Sequence, residues 1–329
     1  MTSIHTTIIP ISVITTCYGR NGHLYNLLSS LSQGSVRPSE VIIVNDDADP
    51  ERLAQYPLNI VQIATTDWDA LALAQNSKSS TINKTSDTGF DIGRNRNLGA
   101  ARASYDGLIF LDVDCIVAST FIEQLHNKLR IYPNALLMGQ PRYLTRPLTD
   151  DESLQLQRGQ LLSTSLDKLS VYNPYRYNFA APELDSDATA IEQTQDYGAF
   201  WSLCFAISYK QFEAIGGFDT DYLGYGAEDT DFSFSARALG VDFYLTNDVI
   251  YHQQHSVYRP PLNHLSSIVI NANIFYDKWQ QWPMGGWLAA FAEMDLINWY
   301  TEQQTAISVS RKPSKSEINA AHYPDAPYV

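Results

Sequence analysis

Gly107-Leu108-Ile109-Phe110-Leu111-Asp112-Val113-Asp114 is an apolar run that stops on two acids separated by one residue. Such a run, bounded by polar residues, reads as a buried strand. Side chains alternate along a strand, so Asp112 and Asp114 at its exposed end are expected on one side. Two carboxylates there offer hard oxygen ligands to Mg²⁺ or Mn²⁺, and such an ion would neutralise a diphosphate. Asp-x-Asp by itself is a weak signal, equally a solvated strand end or a helix cap. Its weight comes from the segments around it.

Upstream, Ile8 to Thr15 reads as a buried strand, His23 to Ser32 as a helix, and Glu40 to Asn45 as a second strand ending on Asp46 and Asp47. A third short strand is expected over Leu58 to Ala64, and a helix carrying Arg94, Arg96 and Arg102 over Asp91 to Ala103. Strands alternating with helices at this spacing predict an α/β protein with a parallel, doubly covered sheet that binds ligands beyond its carboxyl edge. Thr15, Asp46 and Asp112 all fall at such ends.

Two stretches lack periodicity. Asp69 to Thr88 is rich in Ser, Thr and Asn and reads as a loop or mobile insertion, and Pro174 to Asp196 reads as a lid or a disordered loop. A new apolar block follows at Tyr197 to Ser208. After Arg259-Pro260-Pro261, apolar positions from Leu262 to Trp279 recur at helical spacing, and a second helix is expected over Gly286 to Tyr300. Arg311 to Val329 is polar and proline-containing, and is expected to be a loose tail.

Composition narrows the function. The 329 residues are 44% hydrophobic and 18% charged, which suits a folded globular chain with one large core or two smaller ones. The 36 acids outnumber the 22 lysines and arginines, and a net charge of −14 repels nucleic acid and anionic lipid. No apolar run is long enough to span a bilayer, and the first residues lack the regions of a signal peptide, so a cytoplasmic location is the default expectation. Cys17, Cys115 and Cys204 are far apart in apolar sequence and read as buried thiols.

In order, these pieces resemble the family 2 glycosyltransferases of GT-A fold, a Rossmann-like, mainly parallel sheet flanked by helices. Ile11 to Arg20 is similar to their opening strand and turn, Val41 to Asp47 to their second strand, and Gly93-Arg94-Asn95-Arg96-Asn97-Leu98-Gly99 to their Ala-Arg-Asn-x-Gly segment. Asp112-Val113-Asp114 then falls at the family's metal motif. Further on, Gly216-Gly217-Phe218-Asp219 and Tyr225-Gly226-Ala227-Glu228-Asp229-Thr230-Asp231-Phe232 resemble the acceptor half of β-1,4-galactosyltransferases, polypeptide N-acetylgalactosaminyltransferases and bacterial chondroitin-type polymerases. Tyr251-His252-Gln253 resembles a segment of the polymerases.

The resemblance implies an inverting, Mn²⁺- or Mg²⁺-dependent transfer of a hexose or N-acetylhexosamine, of galactose or N-acetylgalactosamine type, from a UDP-sugar to a saccharide or glycoconjugate acceptor. It implies that residues 1–118 bind the nucleotide sugar and 119–259 the acceptor, leaving 260–329 as C-terminal helices and tail. Thr15, Tyr18, Asp46, Arg94 and Asp112 would hold the nucleotide, although Asp46 could instead cap the next turn. Asp114 and His252, with Asp112, would hold the metal, and His255 is a rival to His252. Asp229 would be the general base and Glu228 would orient the acceptor, roles that could be reversed. Phe200, Trp201 and Asp231 would line the acceptor site. Arg96 reads as an ordinary surface arginine. A helix following the acids would lower the pKa of Asp229 through its N-terminal field.

Two other readings compete. One is a silent sugar-binding or scaffold protein on the same fold. The other is a nucleotidyltransferase, which would need a Gly-rich, basic loop after its first strand, whereas Thr15 to Arg20 has one glycine. The sequence leaves the donor sugar, linkage and oligomeric state open.

Overall fold

The computed structural model describes residues 7–67, 91–174 and 191–328. One mixed sheet holds β1 (Thr7–Thr16), β2 (Val36–Val44), β3 (Ile60–Ile63), β4 (Gly107–Leu111), β5 (Cys115–Val117), β6 (Leu136–Leu144), β7 (Ser170–Tyr172), β8 (Ile191–Thr194), β9 (Cys204–Ser208) and β10 (Phe243–His252). Its order is β3-β2-β1-β4-β9-β6-β10-β5, with β7 beside β6 and β8 beside β10. The first four strands run parallel, as do β6 and β10, while β9 enters antiparallel between β4 and β6. This is a mixed, helix-flanked sheet with a parallel first half, the α/β class expected from the sequence.

Alternation along the strands divides the core. Val13, Val41 and Ile43 point to one face, where they pack with Leu24, Leu27 and Leu31 of α1 (Asn21–Ser32). Ile14, Ile42 and Val44 point to the other, against Leu98 and Ala100 of α2 (Ile92–Ala101). Both faces are therefore covered, as the near-continuous apolar strands require. A Cβ on Gly99 of α2 would lie 2.5 Å from Ile14, so only glycine lets this helix sit so close to β1. On the first face, α3 (Phe121–Ile131) adds Phe121, Leu125 and Leu129.

The second half is built on aromatic rings. Phe110 of β4 stacks on Phe205 of β9 at 4.5 Å, and Phe218 stacks on Phe232 of α4 (Glu228–Ala238) at 4.6 Å. α5 (Leu265–Trp279) joins this core through Phe275, which meets Phe234 edge-on at 5.2 Å. α6 (Gly285–Glu293) lies over the next apolar cluster with Leu288 and Phe291. No helix among the described residues is long and apolar enough to cross a membrane.

Two expectations fail. The helix expected to reach Tyr300 stops at Glu293, because Asp295 turns left-handed at φ 55° and the Leu296 N–H closes back onto the Phe291 carbonyl. The expected loose tail is ordered: α7 (Lys315–Ala320) starts with a Ser314/Glu317 capping box, and His322–Tyr323 pairs with Val257–Tyr258. Gln254 Nε2 donates to the Pro324 and Ala326 carbonyls at 2.7 and 3.0 Å, and Arg259 Nη2 to that of Pro327 at 2.6 Å. Side-chain bonds to the backbone, strand pairing and ring contacts fix this segment, so polar composition was the wrong guide. The Asp69 to Thr88 stretch lies outside the described residues; of Pro174 to Asp196, only Pro174 and residues 191–196 are described, with 191–194 forming β8.

Candidate active site

The chain turns as it leaves β4. The Cys115 N–H donates to the Asp112 carbonyl at 3.0 Å, so strand alternation no longer governs the two acids and they diverge instead of sharing a side. Asp112 turns to α2, where Arg96 Nη2 donates to its Oδ1 at 2.7 Å. Asp114 turns to the neighbouring strand, where β5 and β10 pair with Cys115 opposite His252. The Gln253 N–H also donates to the Asp114 carbonyl at 2.6 Å.

Around Asp114 the surroundings are cationic or imidazole. Arg20 Nη1 donates to Oδ2, His23 Nδ1 lies 2.5 Å from Oδ1, and His255 Nε2 lies 3.5 Å from Oδ2. Burial alone would raise this carboxyl, but the His23 hydrogen bond and the charges of His252, Arg20 and His255 prevail and hold it well below the usual carboxylate range. Burial pushes His252 down to about 3, with Asp114 opposing, so its ring is neutral at physiological pH. Burial lowers His255 as well.

Asp114, His252 and His255 present ligand atoms all within 4.8 Å of one another. His252 Nδ1 is buried with no hydrogen-bond partner among the described residues, a cost that a cation would relieve. His255 Nδ1 lies 2.9 Å from the Ser256 carbonyl, which fixes its proton there and leaves Nε2 as the lone-pair nitrogen facing Asp114. One carboxylate and two neutral imidazoles suit Mn²⁺ or a similar divalent ion. Both histidines therefore join the cluster, and Asp112, expected as a ligand, stays outside it because Arg96 takes its carboxylate.

The acid pair lies across the same edge at the start of α4. The loop before it is left-handed at Gly224, Gly226 and Ala227, with φ of 76°, 101° and 72°. Asn271 Nδ2 of α5 donates to the Gly226 carbonyl at 2.9 Å, which helps hold the strained Ala227 conformation in place. Amide hydrogen bonds from Thr230 and Ser202 reach Asp229, the first at 2.7 Å. The helix N-terminus was expected to lower the pKa of Asp229. Instead burial raises Asp229, against the opposing pull of Arg96, and burial with the Asp229 charge raises Glu228. Desolvation outweighs the helix field here.

On the nucleotide side, Thr15 is buried at the end of β1 and Tyr18 is exposed just beyond it. Asp46 accepts from the Thr65 N–H and hydroxyl, both at 2.7 Å, so its carboxylate caps the distant turn Thr65–Asp67 that follows β3. The amide of Asn45 does the joining, with Nδ2 donating to the Cys17 carbonyl at 3.1 Å and Oδ1 accepting from the Asp47 N–H at 2.9 Å. Arg94 sits in the first turn of α2, its N–H capped by Asp91 at 3.1 Å.

Two expected acceptor residues lie elsewhere. Phe200 is fully buried against Phe205, Phe232 and Phe243. Asp231 is 1% exposed and accepts from Lys278 Nζ at 2.9 Å, Trp279 Nε1 at 2.7 Å and the Tyr222 hydroxyl at 3.1 Å, which ties α4 to α5. These three partners hold its carboxylate within the fold. Trp201 is half-buried beside Ser202, with its N–H on Met138 Sδ at 3.1 Å.

Arg20, His23 and Arg96 were not recognised as site residues in the sequence. Arg96 is 4% exposed and keeps a buried Nη1 without a hydrogen-bond partner among the described residues. A signal existed: Gly93, Arg96 and Gly99 are spaced i, i+3 on one helix face, and both glycines are in close packing, Gly93 on Phe218 and Gly99 on Ile14. Arg20 and His23 open α1 directly after the carboxyl end of β1, where the ligand crevice of an α/β sheet lies.

A family model described as "Glycosyltransferase like family 2" matches residues 69–260. Among curated proteins, none matches the sequence. Solved structures similar to the chain include S. aureus TarS 1–349, at 12% identity and TM-score 0.46 over 82% of this chain and 66% of that one. GalNAc-T7 with UDP, GalNAc and Mn²⁺ is similar at 14% identity and TM-score 0.45, over 74% of this chain and 42% of that one. A longer S. aureus TarS structure is similar at 13% identity and TM-score 0.45, over 82% and 40%. The chain thus spans between 40% and 66% of the length of these structures.

Proposed function

The chain belongs to glycosyltransferase-like family 2, and from that premise we propose that it is a divalent-metal-dependent, inverting glycosyltransferase using a UDP-sugar donor and a saccharide or glycoconjugate acceptor. A hexose or N-acetylhexosamine of galactose type is the sugar we favour. The observation that carries this reading is the Asp114, His252 and His255 cluster, with its orphaned imidazole nitrogen, on the same sheet edge as the acid pair Glu228 and Asp229. A divalent ion held there supplies charge to offset the departing diphosphate.

The remaining chemistry falls to side chains. Tyr18, exposed at the mouth, offers its ring to the base, and Thr15 and Arg94 stand on the nucleotide side. Asp112, held by Arg96, is placed for the ribose. Asp229 takes the proton of the acceptor hydroxyl as that oxygen bonds to the anomeric carbon. The bond to the nucleoside diphosphate breaks with its electron pair on the leaving oxygen, and attack opposite the leaving group inverts the carbon. A raised pKa makes Asp229 a stronger base than a solvated carboxylate. Glu228 orients the acceptor, and half-buried Trp201 offers an apolar face to its ring. In this division residues 1–118 hold the donor, 119–259 the acceptor and the base, and 260–329 brace the acid loop.

The test is nucleoside diphosphate release from a panel of UDP- and GDP-sugars with acceptor saccharides, in Mn²⁺ and in chelator. Turnover of one UDP-sugar that chelator abolishes is expected. Turnover that survives chelation overturns the metal dependence, and turnover of GDP-sugars alone overturns the donor.

A further inference from the structure

Residues 321–328 cross the carboxyl edge of the sheet and end on the site. Arg259 binds this strap twice, its N–H donating to the Ala321 carbonyl at 2.9 Å and its guanidinium to that of Pro327. Gln254, between the two clustered histidines, holds the carbonyls of Pro324 and Ala326. The strap delivers the ring of Tyr328 onto His252, stacked at 5.0 Å and 26°, and onto His255, tilted at 5.0 Å. Tyr143 flanks His252 at 5.4 Å. His252 is thus boxed by rings while its Nδ1 makes no hydrogen bond among the described residues. Ring packing helps fix the direction of that nitrogen.

The other end of Tyr328 reaches the loop that precedes the acid pair. Its hydroxyl lies 2.6 Å from that of Tyr225, in the strained loop that leads into Glu228. Tyr225 is itself clamped between His264 at 4.7 Å and Trp287 at 5.6 Å. One side chain therefore touches both imidazoles of the candidate metal cluster and, through one hydroxyl pair, the segment that carries the proposed base.

We propose that Tyr328 is a positioning residue of this active site: its ring sets the orientation of His252 and His255 toward a divalent cation, and its hydroxyl fixes the Tyr225 loop relative to that cation. This role rests on the reading that Asp114, His252 and His255 hold a metal. Ring and hydroxyl then have separable effects. Residues that orient a metal-bound histidine typically change affinity by about 10- to 100-fold when removed.

The experiment is Mn²⁺ titration of the full chain, following free ion by electron paramagnetic resonance, for wild type, Tyr328→Ala and Tyr328→Phe, with steady-state turnover on the same samples. Tyr328→Ala is expected to weaken Mn²⁺ binding about tenfold. Tyr328→Phe keeps the ring, so wild-type Mn²⁺ affinity with a lowered kcat is expected. Wild-type affinity in Tyr328→Ala overturns the positioning role and leaves the metal reading standing. Tighter binding in Tyr328→Ala also overturns it, since the strap would then be an obstruction. Absence of Mn²⁺ binding in the wild type overturns both. Equal weakening in the two variants overturns the assignment to the ring.

Discussion

Buried Asp114 and the half-buried Glu228/Asp229 pair are carboxylates on one sheet edge, yet their surroundings push them in opposite directions. Asp114 sits among Arg20, His23, His252 and His255 and is held far below the usual range. Burial raises both Glu228 and Asp229, with the Asp229 charge adding to the rise of Glu228 and Arg96 as the opposing charge. On the proposed reading the contrast divides the labour: a group that stays ionised can bind a cation at any working pH, while a group raised toward neutrality can exchange a proton. Burial prevails at the acid pair, whereas at Asp114 the hydrogen bond and charges of the neighbours overcome it.

The largest expected effect breaks the cationic corner. Asp114→Ala should abolish Mn²⁺ binding and lower kcat/KM by on the order of 10³-fold, equivalent to several kcal/mol of lost charge stabilisation. Calorimetric titration together with turnover checks it, and unchanged Mn²⁺ affinity would place the metal elsewhere. Next comes pH. Asp229 must be ionised to accept a proton, so kcat should fall as pH drops, with a midpoint above the ordinary carboxylate value of about 4. Asp114 and His252 should add no pH dependence to Mn²⁺ affinity in that window, because Asp114 is still ionised and His252, lowered to about 3, is still neutral. Parallel loss of binding and turnover would erase the distinction between the two corners.

The smallest effect is on stability. A carboxyl raised in the folded state gives most stability below its unfolded pKa and loses it as pH rises through the folded value. Glu228→Gln removes that loss, so it should raise Tm by about 2 °C at pH 8 and by nothing at pH 4 while slowing turnover. A thermal melt series reads this directly. A variant that melts lower at pH 8 would show that the Glu228 charge stabilises the fold.

The frame of the molecule was legible because each early strand is an apolar run stopped by polar residues, and the helices between them carry a periodic apolar face. The motifs around Asp114 and His252 marked both as candidates, and the structure brings them together with His255. Asp112 was misplaced because strand alternation was extended one turn too far. Phe200 and Asp231 were misassigned because their surroundings come from distant segments, the α4 aromatic ring Phe232 for one and Lys278 and Trp279 of α5 for the other. Arg96 hid behind its charge, although the glycines around it marked the packed face of α2. The strap could not be read from composition, since its order comes from Gln254 and Arg259 reaching its carbonyls.

The pairing of β5 with β10 has a bearing on how the protein is made. Asp114 leaves the ribosome early, but His252 meets it only when β10 docks antiparallel on β5 with Cys115 opposite His252. A slip of one residue in that pairing would turn the imidazole to the opposite face of the sheet. On the proposed metal reading the nascent chain has no complete ligand set until its last long strand is in place, and cation binding would report a finished sheet.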